Sequence, residues 1–134
     1  MSIKVVCIDD DPIALLILET ILRRVHFTRD ITAFTEAKQA ISYLHHYKNL
    51  PLDKIPKIIF LDLNMPVMNG WDFLDAFQED FPEWIGVIKI LILSSSINPE
   101  DERKALEHTC VTEYITKPAS HDLMEELKAK YLSI

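Results

Sequence analysis

Four places in the sequence put chemically useful side chains directly after a short predicted strand. Ile3 to Ile8 leads into Asp9-Asp10-Asp11-Pro12, Ile58-Ile59-Phe60-Leu61 into Asp62, Val87 to Leu93 into Ser94-Ser95-Ser96, and Glu113 to Thr116 into Lys117-Pro118. Runs as apolar as Ile58–Leu61 are strands buried on both faces of a parallel sheet, and such sheets hold ligands at the carboxyl ends of their strands. A lone Asp after a strand would read as a turn or a helix cap. With three other strand ends finishing in polar groups, Asp62 belongs to a shared crevice.

The chemistry of that crevice follows from its residue types. Adjacent carboxylates repel one another, so Asp9-Asp10-Asp11 is costly unless a cation or a helix N-terminus sits among them. Pro12 suits the first turn of a helix, which makes Asp11 its N-cap and leaves Asp9 and Asp10 at the strand end. Together with Asp62 they form an oxygen-donor set suited to Mg²⁺. Once a divalent cation offsets the charge around it, the Asp62 carboxylate can attack an electrophilic phosphorus. Lys117 and the Ser94 hydroxyl would then hold the remaining phosphoryl oxygens as charge spreads over them. Only two glycines occur, Gly70 and Gly86, so neither a P-loop nor a G-x-G-x-x-G turn is present.

The elements that position these groups are legible from periodicity. A helix from about Ile13 to Val25 carries Leu15, Leu18, Leu22 and Val25 on one stripe, which should face the sheet. Ile13, Ile17 and Ile21 form a second stripe, read either as a docking surface or as a face covered by a neighbouring helix. Asp30 to Phe34 is a second strand. Thr35 is the expected N-cap of a helix running to about Tyr47, with Ala40, Ile41 and Leu44 inward. His45 and His46 are adjacent, point in different directions from a helix, and read as surface residues. Asn49 to Lys57, with Pro51 and Pro56, is a loop. After Gly70 an amphipathic helix carries Trp71, Phe73, Leu74 and Phe77, ending near Phe81-Pro82; Asn98-Pro99 opens another. Ser120 caps a last helix with Leu123, Met124 and Leu127 inward. Five strands alternating with five helices predict an α/β fold, a doubly wound parallel sheet with helices on both faces.

Composition narrows the function. The chain has 134 residues, 49% hydrophobic and 26% charged, as expected of one folded domain. No apolar run approaches the roughly 20 residues needed to span a bilayer, and Met1-Ser2-Ile3-Lys4 lacks a signal pattern, so no membrane contact and a cytoplasmic location are expected. A net charge of −7, with its 14 Lys and Arg scattered, argues against direct nucleic acid binding. Cys7 and Cys110 lack metal-ligand spacing and read as reduced structural thiols.

From Ile3 to about Tyr131 the chain resembles the response-regulator receiver domains of two-component and phosphorelay signalling. The resemblance rests on the acidic pair Asp9-Asp10, on D-x-x-M-P-x-x-x-G at Asp62, Met65, Pro66 and Gly70, on Ser94, and on Lys117-Pro118, all in order and in spacing. It implies a flavodoxin-like sheet of order 2-1-3-4-5. It implies that Asp62 is the phosphoacceptor and that Asp10 and Asp62 ligate Mg²⁺ directly. Asp9 would act mostly through water, the Asn64 backbone carbonyl would be a further ligand, and the Lys117-Pro118 bond would be cis. The donor it implies is a sensor histidine kinase or a histidine phosphotransfer protein. Ser94 and Tyr114 match the family's switch pair; the alternative for Tyr114 is a plain strand aromatic. Asn64 and Ser96 occupy positions that in the family tune the aspartyl phosphate's lifetime, which implies that role for them here. Two features depart from the family: Ser95 stands where Ala or Gly is usual, and the Asn49–Lys57 loop is longer.

The chain ends just after its last helix, so it reads either as a stand-alone receiver with no output domain, which Met1 and a helix running out to Leu132 favour, or as an excised piece of a larger protein. It is expected to signal through an unknown downstream protein or by onward phosphotransfer, and to catalyse no turnover beyond its own phosphorylation and dephosphorylation. The alternative is a receiver-like interaction module that works independently of phosphorylation. A haloacid-dehalogenase-like phosphatase is disfavoured, because that family places a second Asp where this chain has Asn64.

Overall fold

The computed structural model describes residues 3–65 and 67–132; Pro66 of the Met65-Pro66 motif and Met1 lie outside the described residues. Strands β1 (Lys4–Ile8), β2 (Asp30–Phe34), β3 (Ile58–Leu61), β4 (Lys89–Ser94) and β5 (Val111–Thr116) alternate with helices α1 (Pro12–Arg24), α2 (Ala37–His45), α3 (Gly70–Asp80), α4 (Pro99–Leu106) and α5 (His121–Leu132). All neighbouring strands pair in parallel, in the order β2-β1-β3-β4-β5.

Strand alternation sorts the core into two layers, because successive side chains point to opposite faces. Val6, Ile8, Ile59, Leu61, Ile90 and Ile92 face α2, α3 and α4, meeting Ala40, Leu44, Phe73, Phe77 and Ala105. Val5, Cys7, Ile58, Phe60, Leu91 and Leu93 face α1 and α5, meeting Leu15, Leu18, Leu22, Met124 and Leu127. Register then aligns the strand ends. Ile8 is level with Leu61, Leu61 with Ile92, and Ser94 with Thr116. The residues that follow, Asp9, Asp62 and Lys117, therefore emerge along one edge beside Ser94.

Local departures from the sequence expectation have physical causes. Glu36, not Thr35, precedes the first turn of α2 and makes no side-chain cap bond; starting at Ala37 buries Ala37 and Ala40 against the sheet. β4 starts at Lys89 rather than Val87, because Gly86 (φ 84°) turns the chain and the Val87 amide bonds the Trp84 carbonyl at 3.0 Å. β5 begins two residues before Glu113, at Val111. The Asn49–Lys57 loop holds a single 3₁₀ turn, Leu52–Lys54, and is anchored by buried Ile55. On α1, Ile21 is buried at 8% exposure and packs with Leu18 and Leu22, so it cannot join Ile13 and Ile17 on an outer stripe. Leu16 takes that place: Ile13, Leu16 and Ile17 are 68%, 63% and 53% exposed. The i, i+3, i+4 geometry of a helix makes these three neighbours.

Candidate functional site

β1 and β3 deliver the acidic groups, and backbone bonds fix where they stand. The Asp62 amide donates to the Ile8 carbonyl at 2.9 Å, and the Asp9 amide to the Phe34 carbonyl at 3.1 Å. Asp9 Oδ1 accepts from the Asp11 amide at 3.0 Å, while Asp11 Oδ1 accepts from Ile13 at 2.9 Å as the N-cap of α1. Asp9 and Asp62 are buried and Asp10 is exposed, and one carboxylate oxygen from each lies within 4.8 Å of the others.

β5 delivers the cation. Lys117 Nζ is 2.8 Å from Asp9 Oδ2 and 3.7 Å from Asp62 Oδ1. The Lys117 amide donates to the Ser94 carbonyl at 2.7 Å, and the Lys117-Pro118 peptide is cis. Burial, then the charge of Asp9, pushes the Asp62 carboxyl up from 3.8 to about 6, although Lys117 and a bond from the Asn64 amide pull the other way. Burial alone would lower the Lys117 ammonium, but its bond to Asp9 and the charges of Asp62, Asp9 and Asp11 outweigh that and raise it.

Two buried carboxylates crowded against a third are unfavourable as bare anions, and one ammonium does not neutralise all three. Hard oxygen donors clustered in this way suit a hard divalent cation, so Asp9, Asp10 and Asp62 could hold one. Asn64 is exposed and contributes its amide bond to Asp62.

Ser94 is fully buried, and its Oγ accepts from the Ser96 amide at 3.1 Å. Tyr114 is half-buried beside the α3–α4 layer and donates its hydroxyl to the Ser96 carbonyl at 3.4 Å. The structure thus brings Asp9, Asp10, Asp62, Lys117, Ser94, Ser96 and Tyr114 to one end of the sheet. Gly70 is required there by space: a Cβ would sit 2.6 Å from the Leu63 Cα and 2.7 Å from the Asp62 carbonyl oxygen.

Two features of the rim escaped sequence reasoning. An apolar cleft of about 200 Å³ runs from Asp9, Asp62 and Lys117 between α1 (Ala14, Ile17) and the turn at Pro118-Ala119. Leu16 also belongs to the exposed α1 patch; its i+3 spacing from Ile13 was the available signal.

A family model described as the response regulator receiver domain matches residues 5–128, and the chain belongs to that family. A two-component response regulator from Cytophaga hutchinsonii superposes with a TM-score of 0.88 at 32% identity, covering 99% of this chain and 98% of that one. The phosphorylated cyanobacterial phytochrome response regulator RcpA shares the fold with a TM-score of 0.81 at 24% identity, over 99% of this chain and 96% of its own. Among sequence relatives, the two-component response regulator ARR10 of Arabidopsis thaliana is 28% identical over 96% of this chain, which spans 20% of that protein. The hybrid signal transduction histidine kinase I of Dictyostelium discoideum is 29% identical over 92% of this chain, which spans 7% of that protein. No helix among the described residues is long and apolar enough to cross a membrane.

Proposed function

We propose that this chain accepts a phosphoryl group from a phosphohistidine onto Asp62 in a Mg²⁺-dependent reaction, and signals by phosphorylation-dependent protein contacts or onward phosphotransfer. The observation that carries this reading is the convergence of Asp9, Asp10 and Asp62 within 4.8 Å, with Lys117 bridging Asp9 and Asp62. Bound Mg²⁺ supplies positive charge that lets an anionic carboxylate meet an anionic phosphoryl group. Asp10 and Asp62 would hold the cation directly, with Asp9 acting mostly through water and, by family resemblance, the Asn64 carbonyl as a further ligand.

An Asp62 oxygen attacks the phosphorus as the P–N bond to the donor imidazole breaks, and the released nitrogen keeps the electron pair and then takes a proton. Lys117 and Ser94 stabilise the equatorial phosphoryl oxygens. Asn64 and Ser96, near the reacting centre, set how readily water reaches the aspartyl phosphate. The donor is a sensor histidine kinase or a histidine phosphotransfer protein. Exposed Ile13, Leu16 and Ile17, beside the apolar cleft that opens onto Asp62, supply a docking surface for its His-bearing helix.

Intact-protein mass spectrometry after incubation with Mg²⁺ and acetyl phosphate tests the chemistry. One phosphoryl adduct is expected, dependent on Mg²⁺ and absent from Asp62→Asn. A folded, Mg²⁺-binding protein that takes no adduct from either acetyl phosphate or histidine kinases would refute the reading.

A further inference from the structure

Among the five helices α4 is the least held by apolar packing: of Pro99–Leu106 only Ala105 is buried. Polar contacts at its two ends therefore set its place. At the C-terminal end Lys104 Nζ lies 4.4 Å over the Trp71 ring, and His108 Nε2 is 3.1 Å from Asp75 Oδ1. At the N-terminal end the tether is Ser96 Oγ to Asp101 Oδ2, at 2.6 Å.

That second tether leads straight to the reacting centre. The Ser96 amide donates to Ser94 Oγ at 3.1 Å, and the Ser96 carbonyl accepts from Tyr114 at 3.4 Å. Ser96 Oγ also accepts from the Asn98 amide at 3.2 Å. An ionised carboxylate can only accept, so the single hydroxyl proton of Ser96 is committed to Asp101. Where the Ser94 side chain must rotate to bring its hydroxyl to a phosphoryl oxygen on Asp62, its oxygen moves away from the Ser96 amide, and the loop shifts to give that N–H another partner. Such a shift strains the bond to Asp101.

We infer that Asp101 is a positioning residue for the phosphoryl chemistry: by holding the Ser96 hydroxyl it biases the loop between β4 and α4 toward the arrangement in which Ser94 is committed to the Ser96 amide. The inference rests on Asp62 being the phosphoacceptor. Asp101 itself touches no reacting atom. It acts through Ser96 on Ser94, and it links the crevice to the helix that packing holds least.

The test is the time course of adduct formation and decay with Mg²⁺ and acetyl phosphate, read by intact mass. Asp101→Ala is expected to take up phosphoryl about five-fold faster, and to lose it more slowly, because one charge-assisted hydrogen bond no longer opposes the turn of Ser94. Asp101→Asn keeps an accepting oxygen without the charge and should return most of the way to the parent rates, which separates the hydrogen bond from the charge at the start of α4. In a Ser96→Ala background, Asp101→Ala should add nothing. Unchanged rates in Asp101→Ala, even with a lowered melting temperature, would show a merely structural contact and overturn the inference. So would an Asn variant that behaves like Ala, or an undiminished effect without the Ser96 hydroxyl. An unmodified chain that takes no adduct removes the phosphoacceptor reading as well, whereas an adduct with indifferent Asp101 variants removes this inference alone.

Discussion

Lys117 stands closer to Asp9 than to Asp62: its ammonium is 2.8 Å from the first carboxylate and 3.7 Å from the second. It therefore places one positive charge beside the carboxylate of Asp9, which would help hold a divalent cation through water. The two would compete for the same carboxylate, although in the proposed reaction the ammonium is needed again once a phosphoryl group is present. Lys117→Ala should accordingly tighten Mg²⁺ binding about five-fold, as expected for loss of one partly solvated competing charge. It should also slow adduct formation about a hundred-fold at saturating Mg²⁺, the usual scale for removing one donor to a developing oxyanion. Calorimetric Mg²⁺ titration and the adduct time course separate the two effects, and weaker Mg²⁺ binding in the variant would contradict the competition.

Asp62 makes the metal-free protein less stable as the pH rises. Its carboxyl titrates at about 6 in the folded chain against an ordinary 3.8, chiefly through burial. The folded state thus holds this proton more tightly than the unfolded state. The contribution is fully present below about pH 3.8 and is lost as pH rises through about 6, a change of about 3 kcal/mol. Asp62→Asn carries no such charge. In urea denaturation with chelator present, it should exceed the parent by about that amount at pH 7.5, with the difference closing below pH 4. Adding Mg²⁺ at pH 7.5 should stabilise the parent more than the variant. A gap that stays constant with pH would rule out the raised pKa.

The sheet and the crevice were legible because they depend on local signals. Continuous apolar runs mark doubly covered strands, and the polar residues ending them mark one edge of a parallel sheet. Asp9, Asp62, Ser94 and Lys117 could be assembled from their positions alone. What stayed hidden depends on three-dimensional neighbours. Ile21 lies on the same helical stripe as Ile13 and Ile17, and only the packing of Leu18 and Leu22 against the sheet shows that it turns inward. The Ser96–Asp101 bond joins residues in a loop and a helix whose relative placement no periodicity encodes. The left-handed backbone at Val67 (φ 65°) runs against the preference of a β-branched residue, so sequence argues the wrong way there.

Gly70 joins the loop carrying Asp62 to α3, and the contact is between backbones. In Gly70→Ala the new Cβ would meet the Leu63 Cα at 2.6 Å and the Asp62 carbonyl oxygen at 2.7 Å, where no side-chain rotation can relieve the overlap. A loss of about 2–3 kcal/mol is expected in denaturant unfolding, the upper range for forced overpacking. Because the displaced backbone carries Asp62, the proposed phosphoacceptor, the variant should also form its adduct more slowly under conditions where it remains folded. A variant as stable as the parent would mean that the α3 start can move freely away from Leu63.

The α1 patch separates docking from chemistry. Ile17 is 53% exposed and lines the cleft that reaches Asp62, so Ile17→Glu puts a charge on the proposed docking surface without burying it in the free protein. Transfer from a cognate histidine phosphodonor should slow by about ten-fold or more, the scale of one truncated interface anchor, while acetyl phosphate remains as effective as before. Ile21→Glu is the contrasting variant. At 8% exposure its carboxylate would be buried among Leu18 and Leu22, and the expected result is several kcal/mol of lost stability rather than a selective docking defect. Equal slowing with both kinds of donor in Ile17→Glu would place the defect in the crevice and remove α1 from the docking surface.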